Sequence, residues 1–175
     1  MIAKNWLKII MPSLAVAIAG AAAAEPTKDD MPAPSPAIAQ LKLPDGPLLG
    51  VSGNERHANF IETDQTSRHN DLVEVTIFIV YTPGLPMRGH LASQMVRRER
   101  YDCAKRTQTE LGAQAFDDAG RLVMWLPAYP PENIREGAAE DYVAKVVCDG
   151  VSLPPTNTVI GHAAAMRVAH EMVPH

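Results

Sequence analysis

Two cysteines, six histidines, a short arginine run and an aspartate pair are the side chains of this 175-residue chain whose types could do chemistry. Cys103 and Cys148 are its only thiols. A thiolate nucleophile or metal ligand needs an activating His or a C-x-x-C neighbour, and neither cysteine has one in sequence, so the pair reads as a disulfide of an exported protein. His57, His69, His90, His162, His170 and His175 show no H-x-x-x-H or H-E-x-x-H spacing and read as scattered surface histidines rather than metal ligands. Ser52 and Ser93 sit in no G-x-S-x-G elbow, and no glycine-rich phosphate loop occurs. No catalytic residue, cofactor or metal is therefore assigned. Asp117-Asp118-Ala119-Gly120 offers two carboxylates, but an EF-hand would need further ligands and a closing Glu. Turn chemistry suits it better, with Asp bonding its own backbone and Gly supplying positive φ. In Arg97-Arg98-Glu99-Arg100, with Lys105 and Arg106 close behind, strand alternation puts Arg98 and Arg100 opposite Arg97, which reads as a solvated edge strand rather than an anion site.

The context for these residues is export. Lys4 and Lys8 precede an apolar run from Ile9 to Gly20, broken by Pro12 and Ser13, and Ala22-Ala23-Ala24 forms an A-x-A site before Glu25. Residues 1–24 are expected to be a signal peptide cleaved between Ala24 and Glu25. The run of about 12 residues falls short of the roughly 20 that cross a bilayer, so the mature chain is expected to be periplasmic or secreted with no transmembrane segment. No cysteine adjoins the cleavage site to carry a lipid. Beyond residue 24 the chain holds 14 basic and 20 acidic side chains, a formal charge of −6. That balance weakens the case for nucleic acid, and none is expected as a partner, because counterion release needs a basic face.

Glu25 to Pro47 carries six prolines and few large apolar residues, as expected of an extended linker or disordered arm. A domain over 48–150 follows. Leu72 to Thr82 alternates Val73, Val75, Ile77, Ile79 and Tyr81 against Leu72, Phe78 and Val80, so both faces are apolar and the strand is central. Ser93 to Cys103 is a second, more polar strand in which Met95, Arg97, Glu99, Tyr101 and Cys103 share one face. Gln108 to Phe116 and Arg121 to Leu126 flank the Asp-Gly turn as a hairpin. Ala138 to Val147 follows Glu136, contains Glu140 and Asp141 early and Lys145 late, and precedes Gly150, which predicts a helix of about three turns. Residues 151–175 form a C-terminal tail in which Thr158 to Met172 reads as a second helix, with Thr156 and Thr158 as candidate caps.

The chain resembles the surface-adhesin protein E-like family of bacterial envelope domains from about Phe60 to Cys148. The likeness lies in Phe60-Ile61-Glu62 on an early strand, Tyr101-Asp102-Cys103 at a strand end, and Asp117-x-x-Gly120 before a strand. It continues in Ile134-x-x-Gly137-Ala138 leading into a helix, and in Val147-Cys148 closing that helix. The resemblance implies an α+β fold: an antiparallel β-sheet of about six strands with a helix packed on its concave face and tied by a Cys103–Cys148 disulfide. It also implies adhesion to host extracellular-matrix proteins. The missing lipidation cysteine and the tail beyond residue 150 depart from the family pattern.

The resulting expectation is an exported, non-enzymatic protein-binding module with an adhesion or envelope role, whose partner is a host matrix or envelope protein. The alternative is a periplasmic small-ligand carrier or enzyme using the concavity under the helix. A purely structural envelope protein is a third reading. A deep polar pocket favours the carrier, whereas a filled concavity with exposed apolar patches or strand edges favours the module.

Overall fold

The computed structural model describes residues 33–172. The expected signal peptide, its cleavage site at Ala24 and Glu25, and His175 lie outside the described residues. The elements are α1 (Pro36–Ala39), β1 (Pro47–Gly53), β2 (His57–His69), β3 (Leu72–Met87), β4 (His90–Asp102), β5 (Thr107–Phe116), β6 (Leu122–Leu126), β7 (Glu132–Asn133), α2 (Ala139–Val147), β8 (Thr158–Ile160) and α3 (His162–Met172). All strand pairings are antiparallel, in the order β6-β5-β4-β3-β2-β1-β8 with β7 also pairing β5. The class is α+β. The sheet has eight strands rather than about six, because β7 and β8 are only two and three residues long and cannot display a two-residue period.

Alternation divides the sheet into two apolar faces. Val73, Val75, Ile77, Ile79, Met95, Tyr101, Ala113 and Ala115 lie on one, packed with Val143 and Ala144 of α2. Phe60, Phe78, Val80, Val96 and Phe116 lie on the other, packed with Ala165 and Ala169 of α3. The expected faces of β3 are thus the observed ones, except that Leu72 at its start is exposed. The expected edge position of the arginine run is corrected: β4 lies between β3 and β5 and is hydrogen-bonded on both sides. Its polar residues are carried by pairing with one another rather than by solvent at an edge.

Both chain extensions dock on the face opposite α2. The expectation of an unpacked linker is corrected for residues 33–46, where Ile38 is buried, Leu41 and Leu43 pack on the second core, and Gln114 Nε2 donates to the Ile38 carbonyl at 2.6 Å. Three spaced aliphatic side chains meeting an uncovered sheet face outweigh the proline-rich composition. The C-terminal tail packs as well. Its single expected helix is instead β8, then Gly161 at φ +74°, then α3. Thr156 lies in a 3-10 turn and Thr158 in β8, so neither caps α3. Ala165 and Ala169, four residues apart, let α3 approach the sheet closely.

Docking of α1 depends on one glycine. Gly112 sits in a β4–β5 irregularity at φ +127°, where a Cβ would come within 2.7 Å of Ile38 Cγ1 and 3.0 Å of the Leu126 carbonyl. Gly112→Ala is expected to lower stability by about 1–3 kcal/mol through overpacking and backbone strain. Urea denaturation measures the loss, and exposure of the Gln114 side-chain amide should accompany it.

Candidate functional site

α2 is fastened to the sheet at both ends. Cys148 at its C-terminal cap bonds Cys103 just after β4, with Sγ–Sγ 2.07 Å and Cα–Cα 5.3 Å. Arg68 of β2 donates to the carbonyl of Val147, placing a cation where the helix dipole is negative. Arg106, in the β4–β5 turn, reaches both helix ends. Its Nη2 lies 3.2 Å from Asp141 Oδ1 and its Nη1 lies 3.1 Å from Asp149 Oδ1. Asp141 also pairs Lys145 Nζ at 2.8 Å and accepts at 3.0 Å the N–H of Gly137, the residue just ahead of the helix's N-cap.

Lys145, the Gly137 N–H and Arg106 together hold the Asp141 carboxyl below its ordinary range, against some desolvation. A carboxyl with a lowered folded-state pKa stabilises above its unfolded value of about 3.9, and the effect is lost as pH falls through the folded value. Asp141→Asn is therefore expected to weaken protection of the α2 amides at neutral pH. Hydrogen exchange should find the gap from the parent protein closing as pH drops below about 3.9.

Beneath α2 lies a buried charge cluster. The Arg97 guanidinium pairs with Glu99 through Nε and with Glu110 at 3.4 Å, while Tyr101 Oη donates to Glu99 Oε2 at 2.6 Å. Glu99 and Tyr101 are fully buried, and the Arg97 side chain is only 20% exposed. Burial pushes the Glu99 carboxyl up, with Arg97 and the Tyr101 hydroxyl pulling it back. Desolvation works against the Arg97 charge, but Glu99 and Glu110 more than offset it, so its pKa is raised. Glu110 is raised by burial first, against the opposing pull of Arg97. Desolvation also pushes up the Tyr101 hydroxyl, helped by the Glu99 charge. These groups bond one another and aim into a packed core. The opening beside α2, lined by Gln108, Glu132, Asn133, Ile134, Arg135 and Glu140, measures only about 20 Å³.

The remaining singled-out residues do not converge. His57 lies tilted against the Tyr81 ring at 6.3 Å, His69 ends β2, His90 stands at the exposed β3–β4 turn, and His162 and His170 lie on α3. Among the described residues no three His, Cys, Asp or Glu side chains are grouped to hold a metal ion. Ser52 accepts from Asn59 at 3.0 Å, and Ser93 is buried in β4. Asp117 Oδ1 accepts the backbone N–H groups of Ala119 and Arg121 at 2.9 Å each, and Gly120 takes φ +73°, so the aspartate pair is turn chemistry. Asp118 is exposed.

Exposed apolar side chains mark the margins of the sheet. Leu122 is 52% exposed on the outer strand β6, Ile160 is 66% exposed on the outer strand β8, and Leu91 is 63% exposed beside the β3–β4 turn. Sequence periodicity missed the α3 side and the docked arm. The one available signal was the i, i+4 alanine pair 165 and 169.

No curated protein matches the chain. Among solved structures, Haemophilus influenzae protein E is similar at 14% identity with a TM-score of 0.44, covering 63% of this chain and 92% of that one. A second crystal form of the same protein gives 12% identity and a TM-score of 0.46, covering 63% and 95%. The family described as surface-adhesin protein E matches residues 48–149, from the buried start of β1 to just past the tethering cysteine. With more than half of its length matched, the chain belongs to the surface-adhesin protein E family.

Proposed function

We propose that this protein is an exported, non-enzymatic module that binds a protein partner, a host matrix or envelope protein, through its sheet margins or uncovered sheet face. Family membership over residues 48–149 carries the reading. Two features of the geometry support it. The space beneath α2 is filled by side chains, so a carrier using that concavity would lack the few-hundred-Å³ pocket small ligands occupy. The outer strands also present Leu122 and Ile160 beside backbone that no further strand of the described residues pairs, the template that strand addition uses. No helix of the described residues is long and apolar enough to cross a membrane.

The test is interferometry of the purified exported protein against a panel of immobilised extracellular-matrix and bacterial envelope proteins, with serum albumin as control. Saturable binding to at least one panel member and none to albumin is expected. Absence of binding throughout the panel, together with saturable uptake of a small molecule, would replace this reading with the carrier.

A further inference from the structure

The sheet face opposite α2 is covered over only part of its length. α3 packs on Phe60, Phe78 and Val80, and α1 stands beside Gly112. Between α1 and the far ends of β2 to β4 runs a half-open groove of about 440 Å³, within the range of sites that hold ligands. Strand register sets its floor. Glu62 of β2 pairs with Thr76 of β3, which pairs with Arg98 of β4, so the three stand in one row on the same face. The next row pairs Glu74 with Arg100.

The two ends of this floor want opposite charges. Glu74 Oε2 accepts from Arg98 at 3.2 Å, and Glu74 Oε1 accepts from Arg100 Nε at 3.0 Å and Nη2 at 2.6 Å. Each guanidinium has five N–H donors, so one carboxylate leaves most of the pair's donors unused. Glu62, two strands away at about 10 Å, is half-buried and has no side-chain hydrogen bond or ion pair among the described residues. Burial and the nearby Asp64 push its carboxyl up, against the pull of Lys42 at the rim and of Arg98 across the floor, and among the described residues neither cation bonds it. Gln40 and Gln65 at the rim can bond a backbone.

We infer that this groove binds an extended peptide segment of a protein partner at two points, a Lys or Arg side chain on Glu62 and a carboxylate on Arg98 and Arg100. The inference rests on the reading of the chain as a protein-binding module and assigns it a specific surface. A simple anion meets two carboxylates in the same groove, and a simple cation meets the two arginines. A mixed-charge segment satisfies both ends, because residues four apart in an extended chain present their side chains to one face about 13 Å apart, within reach of long side chains over a floor of about 10 Å.

The experiment titrates the isotope-labelled full chain with the acetylated, amidated peptide Gly-Lys-Gly-Ala-Gly-Glu-Gly, followed by amide chemical shifts. Parallel titrations use versions with Ala for Lys or Ala for Glu, and inorganic phosphate. Shifts should centre on Glu62, Thr76, Arg98 and Arg100. Affinity should fall at least fivefold when either peptide charge is removed, and likewise in Glu62→Gln and in Arg100→Gln. The proposal is overturned if millimolar peptide shifts none of these residues, or if the singly substituted peptides or phosphate bind as tightly. Matrix-protein binding that persists in Glu62→Gln, with the peptide silent, removes the groove and keeps the module. Peptide binding at the groove with no protein bound across the panel does the reverse.

Discussion

Replacing Arg97 with alanine is expected to destabilise the protein by about 3–5 kcal/mol, because it strands the fully buried Glu99 carboxylate without its cation. The double variant with Glu99→Gln should lose less than Arg97→Ala alone, since a neutral amide can still accept from Tyr101 without carrying an unpaired charge. The pH dependence has a definite sign. Glu99 already titrates above its ordinary value because of burial, and removing the cation raises it further. A carboxyl whose folded pKa exceeds its unfolded value of about 4.3 binds more protons when folded, so the variant loses stability as pH rises from there through the folded value. Urea midpoints should therefore show the gap between Arg97→Ala and the parent protein widest at neutral pH and narrowing toward pH of about 4.3. An exposed arginine on an edge strand would give a change of under about 1 kcal/mol at every pH.

Removing the disulfide by Cys103→Ser or Cys148→Ser is expected to cost about 2–5 kcal/mol. The bridge joins cysteines 45 positions apart, and closing a loop of that size in the unfolded chain corresponds to about 4 kcal/mol of lost entropy. The loss should be uneven. β3, β4 and β5 are paired along their length without help from the bridge, whereas α2 is left with Arg68, Arg106 and its packing through Val143, Ala144, Val146 and Val147. Hydrogen exchange should show α2 amides opening well before those of the central strands. Simultaneous loss of both would mean that the sheet itself depends on the tether.

The sequence was most informative where period and burial coincide. Val73 to Tyr81 alternate through a strand buried on both faces, and Asp117 to Gly120 must turn, so β3 as far as Thr82, β4 from Ser93 and the β5–β6 hairpin are legible from residue types, whereas the continuation of β3 through Pro83 and Gly84 to Met87 is not. The α2 helix was bounded to within a residue by its acids, Lys145 and Gly150. Arg97 misled because charge in a strand usually means solvent, and nothing local reveals that Glu99 two residues on and Glu110 on the next strand meet it under a helix. The arm around Ile38 is hidden by a composition poor in large apolar residues, whose ordering cost is met by a face formed from distant strands. β8 and α3 merged into one expected helix because Gly161, the break between them, is also compatible with a loop. The groove row of Glu62, Thr76 and Arg98 depends on register across three strands, which sequence spacing does not encode.

The central claim is that the protein works by binding, through a fold that needs its tether rather than through a titrating side chain. It is tested most directly by the affinity of the exported protein for the panel protein it binds, with the Cys103–Cys148 bridge intact, reduced and verified as reduced, and with His57, His69 or His90 replaced. The account predicts that reduction weakens binding severalfold, because the freed α2 lets the chain populate nonbinding conformations, and that the histidine variants bind as the parent does. Unchanged affinity after verified reduction, or a catalytic turnover abolished by a single histidine substitution, would contradict it.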